Sequence, residues 1–476
     1  MQISERSYKW LALLTVSIGT FMATLDASIV NISLPRLSEV FDTEPSVVLW
    51  VTVAYLLVSV GLVLTVGKVG DLIGRKRVYI IGLTIFTVGL ALCWISQSIV
   101  QLILSRVLQA VGASMTAALS NAIVTDVFPD QERGKALGIL GAVVSTGLLS
   151  GPVLGGFLLD ALDWPSIFYV RVPVGIVGVV MALLLLKEQK GTSTALRFDW
   201  AGAVTLFGGF SCLLLFFNLG GKLGFTSIPV LALCAGTVVL LTLFVLIERK
   251  ASQPILNLEL LRNRVFASGI ISMGIMFLAI SANTFLMPFY LIKGLGHSAA
   301  QAGLLFAVIS STTLIVGPVS GWLSDKIGSR ILCTAGMTFV SLALFLLSRL
   351  GPEATTPEIL LRFVILGFGL GMFSAPNNSS IMGSVPRESL STGSAMIATM
   401  RQVGMSIGIA IAGAIFTARQ LVHSARLAGD LAPDMVETLS LINAFQDSLL
   451  IATIICSIAI IASWTRSGRL TGAHEA

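Results

Sequence analysis

Gly67-Lys-Val-Gly-Asp71-Leu-Ile-Gly74-Arg75-Lys-Arg77 returns later in the chain as Gly321-Trp-Leu-Ser-Asp325-Lys-Ile-Gly328-Ser-Arg330. Glycine, aspartate and glycine recur at an offset of 254 residues, and each copy stands between two long apolar runs. A second pair repeats at almost the same spacing: Arg106 and Asn121 match Arg362 and Asn377 at an offset of 256. Two independent pairs at nearly one offset indicate duplication of a six-helix unit. Parallel repeats of this kind build membrane proteins whose halves rock around a central site.

Composition agrees with a membrane setting. Of 476 residues, 55% are hydrophobic and 11% charged, with a mean hydropathy of +0.93. A soluble domain carries roughly 25% charged residues. A chain this apolar could not cover a water-facing surface, so its solvent is largely lipid and its backbone must satisfy itself in helices. The net charge of +6 does not indicate a nucleic-acid partner, because the basic residues are scattered in short loops between apolar spans. Cys93, Cys212, Cys234, Cys333 and Cys456 all lie within apolar stretches, with neither disulfide-framework nor metal-ligand spacing. The first apolar run, 10–34, is too long for a signal-peptide core and reads as a transmembrane helix.

Fourteen spans are predicted: 10–34, 47–67, 77–96, 100–125, 135–160, 165–186, 200–220, 227–247, 265–292, 300–323, 331–349, 357–383, 391–418 and 444–465. With a cytoplasmic N-terminus, about 20 of the 30 basic residues fall on the cytoplasmic side and about 6 outside, as the positive-inside rule requires. Both termini are then cytoplasmic, in the cytoplasmic (inner) membrane of a cell. The repeat divides the chain into a six-helix bundle over 1–190, two inserted helices over 191–255 and a second six-helix bundle over 256–476. The stretch 419–443 is expected to form a small external amphipathic cap or hairpin.

Asp26 is the one carboxylate placed well inside a span. An unpaired carboxylate in apolar surroundings costs several kcal/mol. Such a group can bind and release a proton near neutral pH. Arg106 and Gln109 are three residues apart and share one face of the fourth helix. Arg106 lies roughly 10 Å below the outer surface, near the depth of Asp26, which is its nearest candidate partner. Gly147, Gly151, Pro152, Gly155 and Gly156 in the fifth helix allow close packing and a kink. Asp71 can cap a helix N-terminus beside Arg75, and Gly67 and Gly74 permit a tight turn.

In order and spacing these motifs resemble the fourteen-helix drug:proton antiporter branch (EmrB/QacA type) of the major facilitator superfamily, over nearly the whole chain. The resemblance implies an all-α membrane fold of two six-helix bundles plus two extra helices, and export of small amphiphilic, drug-like compounds in exchange for protons. It implies proton coupling at Asp26 with Arg106. Asp71, Arg75 and Asp126 would form a latch, with a weaker copy at Asp325 and Gly328, where Ser329 replaces the arginine. The glycine-proline run of the fifth helix would be an antiporter motif. Asn31 and Pro35 also fit the pattern. Arg171 departs from it, because relatives usually carry asparagine there; snorkelling of the side chain to the surface would accommodate it.

Asn31, Gln109, Asn121, Asn283, Tyr290, Asn377, Asn378 and Arg401 are the candidate lining of a substrate cavity. Arg401 falls near mid-membrane with no acid in the second half to pair with it, so it should face water or an anionic group. With one deep carboxylate and several deep arginines, neutral, zwitterionic or anionic substrates fit at least as well as cations. No phosphate-binding loop is present, and His297, His423 and His474 fall outside the predicted spans, so neither ATP coupling nor enzyme chemistry is expected. Protons are the expected coupling ion, without cofactor or metal. The bilayer and the substrate are the expected partners of a monomer. The resemblance leaves room for a membrane-fusion adaptor protein, and for a lipid or metabolite exporter on the same fold.

Overall fold

The computed structural model describes residues 5–187, 199–251, 260, 262–385, 390–428 and 432–464. The described chain is helical almost throughout. The helices are α1 (Glu5–Val40), α2 (Pro45–Ile73), α3 (Arg75–Trp94), α4 (Ile99–Val127), α5 (Asp130–Ala161), α6 (Ser166–Tyr169), α7 (Val172–Leu185), α8 (Trp200–Leu223), α9 (Ile228–Glu248), α10 (Arg264–Phe289), α11 (Ala299–Ile327), α12 (Ser329–Leu347), α13 (Thr356–Gly383), α14 (Leu390–Leu427) and α15 (Pro433–Trp464). Every predicted span falls on a helix, the sixth on two, α6 and α7, broken at Val170–Arg171. Counting that pair as one, thirteen helices among the described residues are long and apolar enough to cross a membrane, and α5 adds a shorter apolar stretch over Thr146–Ala161.

Local chemistry sets the helix ends. The Ser98 hydroxyl accepts from the Gln101 N–H at the start of α4, and Asn263 Oδ1 accepts from the N–H groups of Val265 and Phe266 at the start of α10. Thr355 and Glu358 form a capping box on α13. The two repeated motifs end their helices in the same way. Gly74 has φ +105° between α2 and α3, and Gly328 has φ +88° between α11 and α12. A side chain at either position would be strained, which explains why both copies keep glycine there.

Three expectations about element boundaries change. α1 continues to Val40, beyond its predicted end. α10 ends in a π-helical turn, Tyr290–Gly294, just after Pro288, whose missing N–H disturbs the regular ladder. The stretch 419–443 forms no separate cap. α14 runs on to Leu427 and α15 begins at Pro433, so the two long helices themselves form the hairpin. His423 therefore lies within α14 rather than in a loop.

The chain divides into two compact units, Met1–Ile255 with His297–Leu304, and Leu256–Gly296 with Leu305–Ala476. In the first unit α3 packs on α4, α1 on α5, and α2 on α4. In the second, α10 packs on α14, α12 on α13, and both α10 and α12 on α15. Small residues let backbones approach: a Cβ on Gly336 would meet the Gly369 carbonyl at 2.8 Å. α8 and α9 belong to the first unit, where α8 packs on α9 and α2. Only 24% of the α8 span and 17% of the α9 span is buried, against 78% of Pro45–Val63 in α2, so this pair covers rather than forms the bundle core.

Candidate functional site

The α3–α4 contact is close enough to position a polar side chain deep in the first unit. Gly89 lets α3 approach so nearly that a Cβ there would sit 2.7 Å from the Gln109 Cα. This packing fixes Gln109 beside Arg106 on α4, and both side chains are buried. Asp26 of α1 is fully buried opposite them. Arg106 Nη1 donates to Asp26 Oδ2 at 2.6 Å and to Gln109 Oε1 at 2.6 Å, and Gln109 Nε2 donates to Asp26 Oδ1 at 3.0 Å. Arg106 Nε donates to the Val51 carbonyl of α2 at 3.2 Å, and its guanidinium lies 4.1 Å from the centre of the Tyr55 ring. Cys93 Sγ of α3 lies 3.7 Å from Gln109 Oε1.

Arg171 completes this cluster, where snorkelling had been expected. The break between α6 and α7 makes Arg171 the N-cap residue of α7 and turns its side chain inward. Its Nη1 donates to Asp26 Oδ1 at 2.7 Å and its Nε to the Ile167 carbonyl at 2.6 Å. The side chain is only 5% exposed. Nη2 is buried without a hydrogen-bond partner. One carboxylate thus holds two guanidiniums inside the bundle, giving three formal charges and a net charge of one positive. A buried guanidinium is tolerable only when paired and hydrogen-bonded, which explains why Arg171 turns inward once Asp26 is within reach.

The α5 glycines face the same part of α1. A Cβ at Gly147 would collide with Thr24 Oγ1, one at Gly151 with Ser28 Oγ, and one at Gly155 would come within 2.7 Å of Ile29 and Ile32. The Ser28 hydroxyl donates to the Gly147 carbonyl at 3.3 Å. The glycine face of α5 is therefore a close seam along the helix that carries Asp26. Further along, Pro152 and Gly156 meet the first turn of α11: a Cβ at Gly303 would strike the Pro152 carbonyl, and one at Gly156 the Ala299 carbonyl. Asp160 accepts from the N–H groups of Ala299 and Ala300 at 3.1 and 2.9 Å, capping that helix start.

At the α2–α3 turn, Arg75 opens α3 and forms an ion pair with Asp126 of α4. Lys76 Nζ donates to the Leu183 carbonyl at 3.2 Å. A Cβ on Gly67 would meet nothing within 4 Å. The side chains of Asp71, Asn121 and Asp325 lie outside the described residues.

Several residues expected to line a cavity are buried in this structure. Asn31 is buried; its Nδ2 donates to the Ala27 carbonyl at 3.2 Å and its Oδ1 accepts from Thr52 at 3.4 Å, which ties α1 to α2. Tyr290 is fully buried; its hydroxyl donates to the Gly351 carbonyl at 2.7 Å, and its ring stacks on Phe445 at 4.5 Å. Asn377 is buried and donates to the Gly269 carbonyl of α10 at 3.3 Å. Asn283 is 1% exposed with its Oδ1 unpartnered. A buried amide gains most by bonding to its neighbours, which accounts for the contacts of Asn31 and Asn377. Asn378 is exposed, and Arg401 is half-buried with no hydrogen bond or ion pair to a described residue.

Two contributions escaped sequence reasoning. Arg171 could have been found from its depth alone, because a second arginine near Asp26 needs an acid. The other is an ion cluster in the second unit: Arg419 Nε donates to Asp447 Oδ2 at 2.6 Å, and His423 Nε2 lies 2.7 Å from the same oxygen. Helical spacing puts Arg419 and His423 on one face, but only the length of α14 brings them to Asp447.

Two helical units built from helices long and apolar enough to cross a membrane define a polytopic membrane protein. Residues 16–409 match the family model described as the Major Facilitator Superfamily, and the chain belongs to that family. It is 35% identical over 457 residues to the riboflavin transporter RibZ of Clostridioides difficile, covering 95% of this chain and 96% of that one. It is 31% identical to the multidrug resistance protein Stp of Mycobacterium tuberculosis, covering 86% and 76% of the two chains. It is 30% identical to the multidrug transporter protein MdtP of Bacillus subtilis, covering 87% and 76%. A solved bacterial homolog of the human lysosomal transporter Spinster superposes with a TM-score of 0.68 over 96% of both chains, at 15% identity, which shows the shared fold. The chain is a multi-pass membrane transporter, not an enzyme.

Proposed function

We propose that this transporter exports small amphiphilic compounds in exchange for protons by alternating access, as a fourteen-helix member of the drug:proton antiporter branch in the cytoplasmic membrane. The observation that carries the reading is the Asp26–Arg106–Arg171 cluster. Protonating Asp26 removes the only negative charge in that cluster. Two guanidiniums then remain buried in the bundle without a counter-ion, an arrangement that costs several kcal/mol. The bundle must respond by repacking or by admitting water, and this response is the link between proton binding and conformational change.

The remaining residues take roles around that step. Arg75, Asp126 and Asp71 act as the latch at the cytoplasmic turn. The α1–α5 seam built on Gly147, Gly151 and Gly155 carries movement of α1 to α5. Arg401 and Asn378 face the substrate path from the second unit.

A second reading is favoured by one finding, the full-length similarity to a protein named as a riboflavin transporter. In that reading the substrate is a planar aromatic metabolite rather than a broad set of drugs. One experiment separates the two. Purified protein is reconstituted in proteoliposomes, a pH gradient is imposed, and uptake is followed for riboflavin and for a panel of uncharged, anionic and cationic amphiphiles. Accumulation of several unrelated amphiphiles supports drug export, and accumulation of riboflavin alone supports the metabolite reading. Transport that ignores the pH gradient contradicts proton antiport.

A further inference from the structure

Arg171 brings a second positive charge to a site whose geometry is already complete without it. Arg106 occupies Asp26 Oδ2, and Gln109 donates to Oδ1. Arg171 adds a 2.7 Å bond to Oδ1 and leaves its own Nη2 without a partner. The charged residues buried among the described residues are Asp26, Arg106, Arg171 and Glu248. Glu248 lies at the end of α9, which packs on α8. Its carboxylate would come within 3.1 Å of a Cβ on Gly202, near the start of α8. The uncharged groups around the cluster are Tyr55, Cys93 and Gln109. Among the described residues no second acid is bonded to the cluster, so its excess positive charge is not cancelled within it. The N-terminus of α7, which Arg171 caps, adds a partial positive charge of the same sign.

We propose that Arg171 sets the charge selectivity of this transporter: by occupying Asp26 Oδ1 as a tethered internal cation it leaves the first unit net positive, so that neutral and anionic amphiphiles are accepted and cationic ones are disfavoured. The inference rests on the transport reading above and names the substrate class for it. Two effects act together. A cationic substrate finds both carboxylate oxygens taken by arginine. It also meets the field of one uncompensated charge. At about 10 Å and an effective dielectric constant of about 20, that field is worth roughly a tenfold change in affinity, and the substrate need not touch the cluster.

The test is equilibrium binding to the full-length protein in nanodiscs, with empty nanodiscs subtracted. The probes are tetraphenylphosphonium and tetraphenylborate, two ions of nearly the same shape and opposite charge. Wild type should bind the borate about tenfold or more tightly than the phosphonium. Arg171→Gln keeps a hydrogen-bonding side chain but removes the charge, and should bind the phosphonium about tenfold more tightly than wild type. Arg171→Lys keeps the charge and should retain the wild-type preference. Equal binding of the two ions by wild type overturns the proposal, and so does failure to bind either. A lysine variant that behaves like a folded glutamine variant also overturns it, because charge would then not be the cause. The wild-type comparison decides the matter even if Arg171→Gln does not fold. None of these readouts uses a pH gradient, so a failure of proton antiport would appear separately, in the proteoliposome experiment.

Discussion

The two units carry similar helices but treat charge differently. Arg106 in α4 and Arg362 in α13 are repeat partners at an offset of 256, and Asp26 in α1 and Asn283 in α10 stand at 257. In the first unit the pair meets: Arg106 and Asp26 are buried and bonded at 2.6 Å. In the second, Asn283 is equally buried, but its Oδ1 has no partner, and Arg362 Nη1 is buried without one. At these matched positions the first unit carries a carboxylate and the second an amide. The difference also shows why Arg171 matters: the unit with the acid has two buried arginines to satisfy, not one.

Matched truncations should break or sharpen this contrast. Arg106→Leu leaves Asp26 with Arg171 as its one cationic partner and strips a donor from Gln109 and from the Val51 carbonyl. Removing one partner of a buried ion pair costs about 3–5 kcal/mol. A large loss of thermal stability in detergent is expected, together with loss of proton-driven transport. Gly151→Val should have an intermediate effect, because its Cβ would collide with Ser28 and force α1 and α5 apart. Overpacking of this kind costs about 1–3 kcal/mol. It should slow turnover more than it weakens substrate binding, as measured by comparing exchange rate with Kd. Arg362→Leu should have the smallest effect, under about 1 kcal/mol in the same melting assay, because that side chain has no hydrogen bond to lose within the described residues. Equal costs for Arg106→Leu and Arg362→Leu would remove the contrast.

The fold was legible because its signals are long and repetitive. Apolar runs of about 20 residues and a duplicated turn motif locate the long helices, since lipid leaves the backbone no alternative to helix. Gly74 and Gly328 could be assigned positive φ from the motif alone. The partnership of Asp26 with Arg106 followed from depth, because each needs the other. Side-chain direction was less legible. Asn31, Tyr290 and Asn377 are polar residues at mid-span, and the sequence does not distinguish a side chain bonded to a neighbouring helix from one that faces a cavity. Arg171 was misread for a related reason. Snorkelling was inferred from its distance to the surface, but the break between α6 and α7 redirects the side chain to an acid on a distant helix.

The central claim is that Asp26 couples proton binding to movement, and it is tested most directly by separating exchange from accumulation. Asp26→Asn is reconstituted in proteoliposomes beside wild type, and the same substrate is followed in counterflow at symmetrical pH and in uptake driven by a pH gradient. The account predicts that the variant retains measurable counterflow, since the amide oxygen can still accept from one of the two arginines, while gradient-driven accumulation falls to the level of empty liposomes. Accumulation in Asp26→Asn equal to that of wild type would contradict the account.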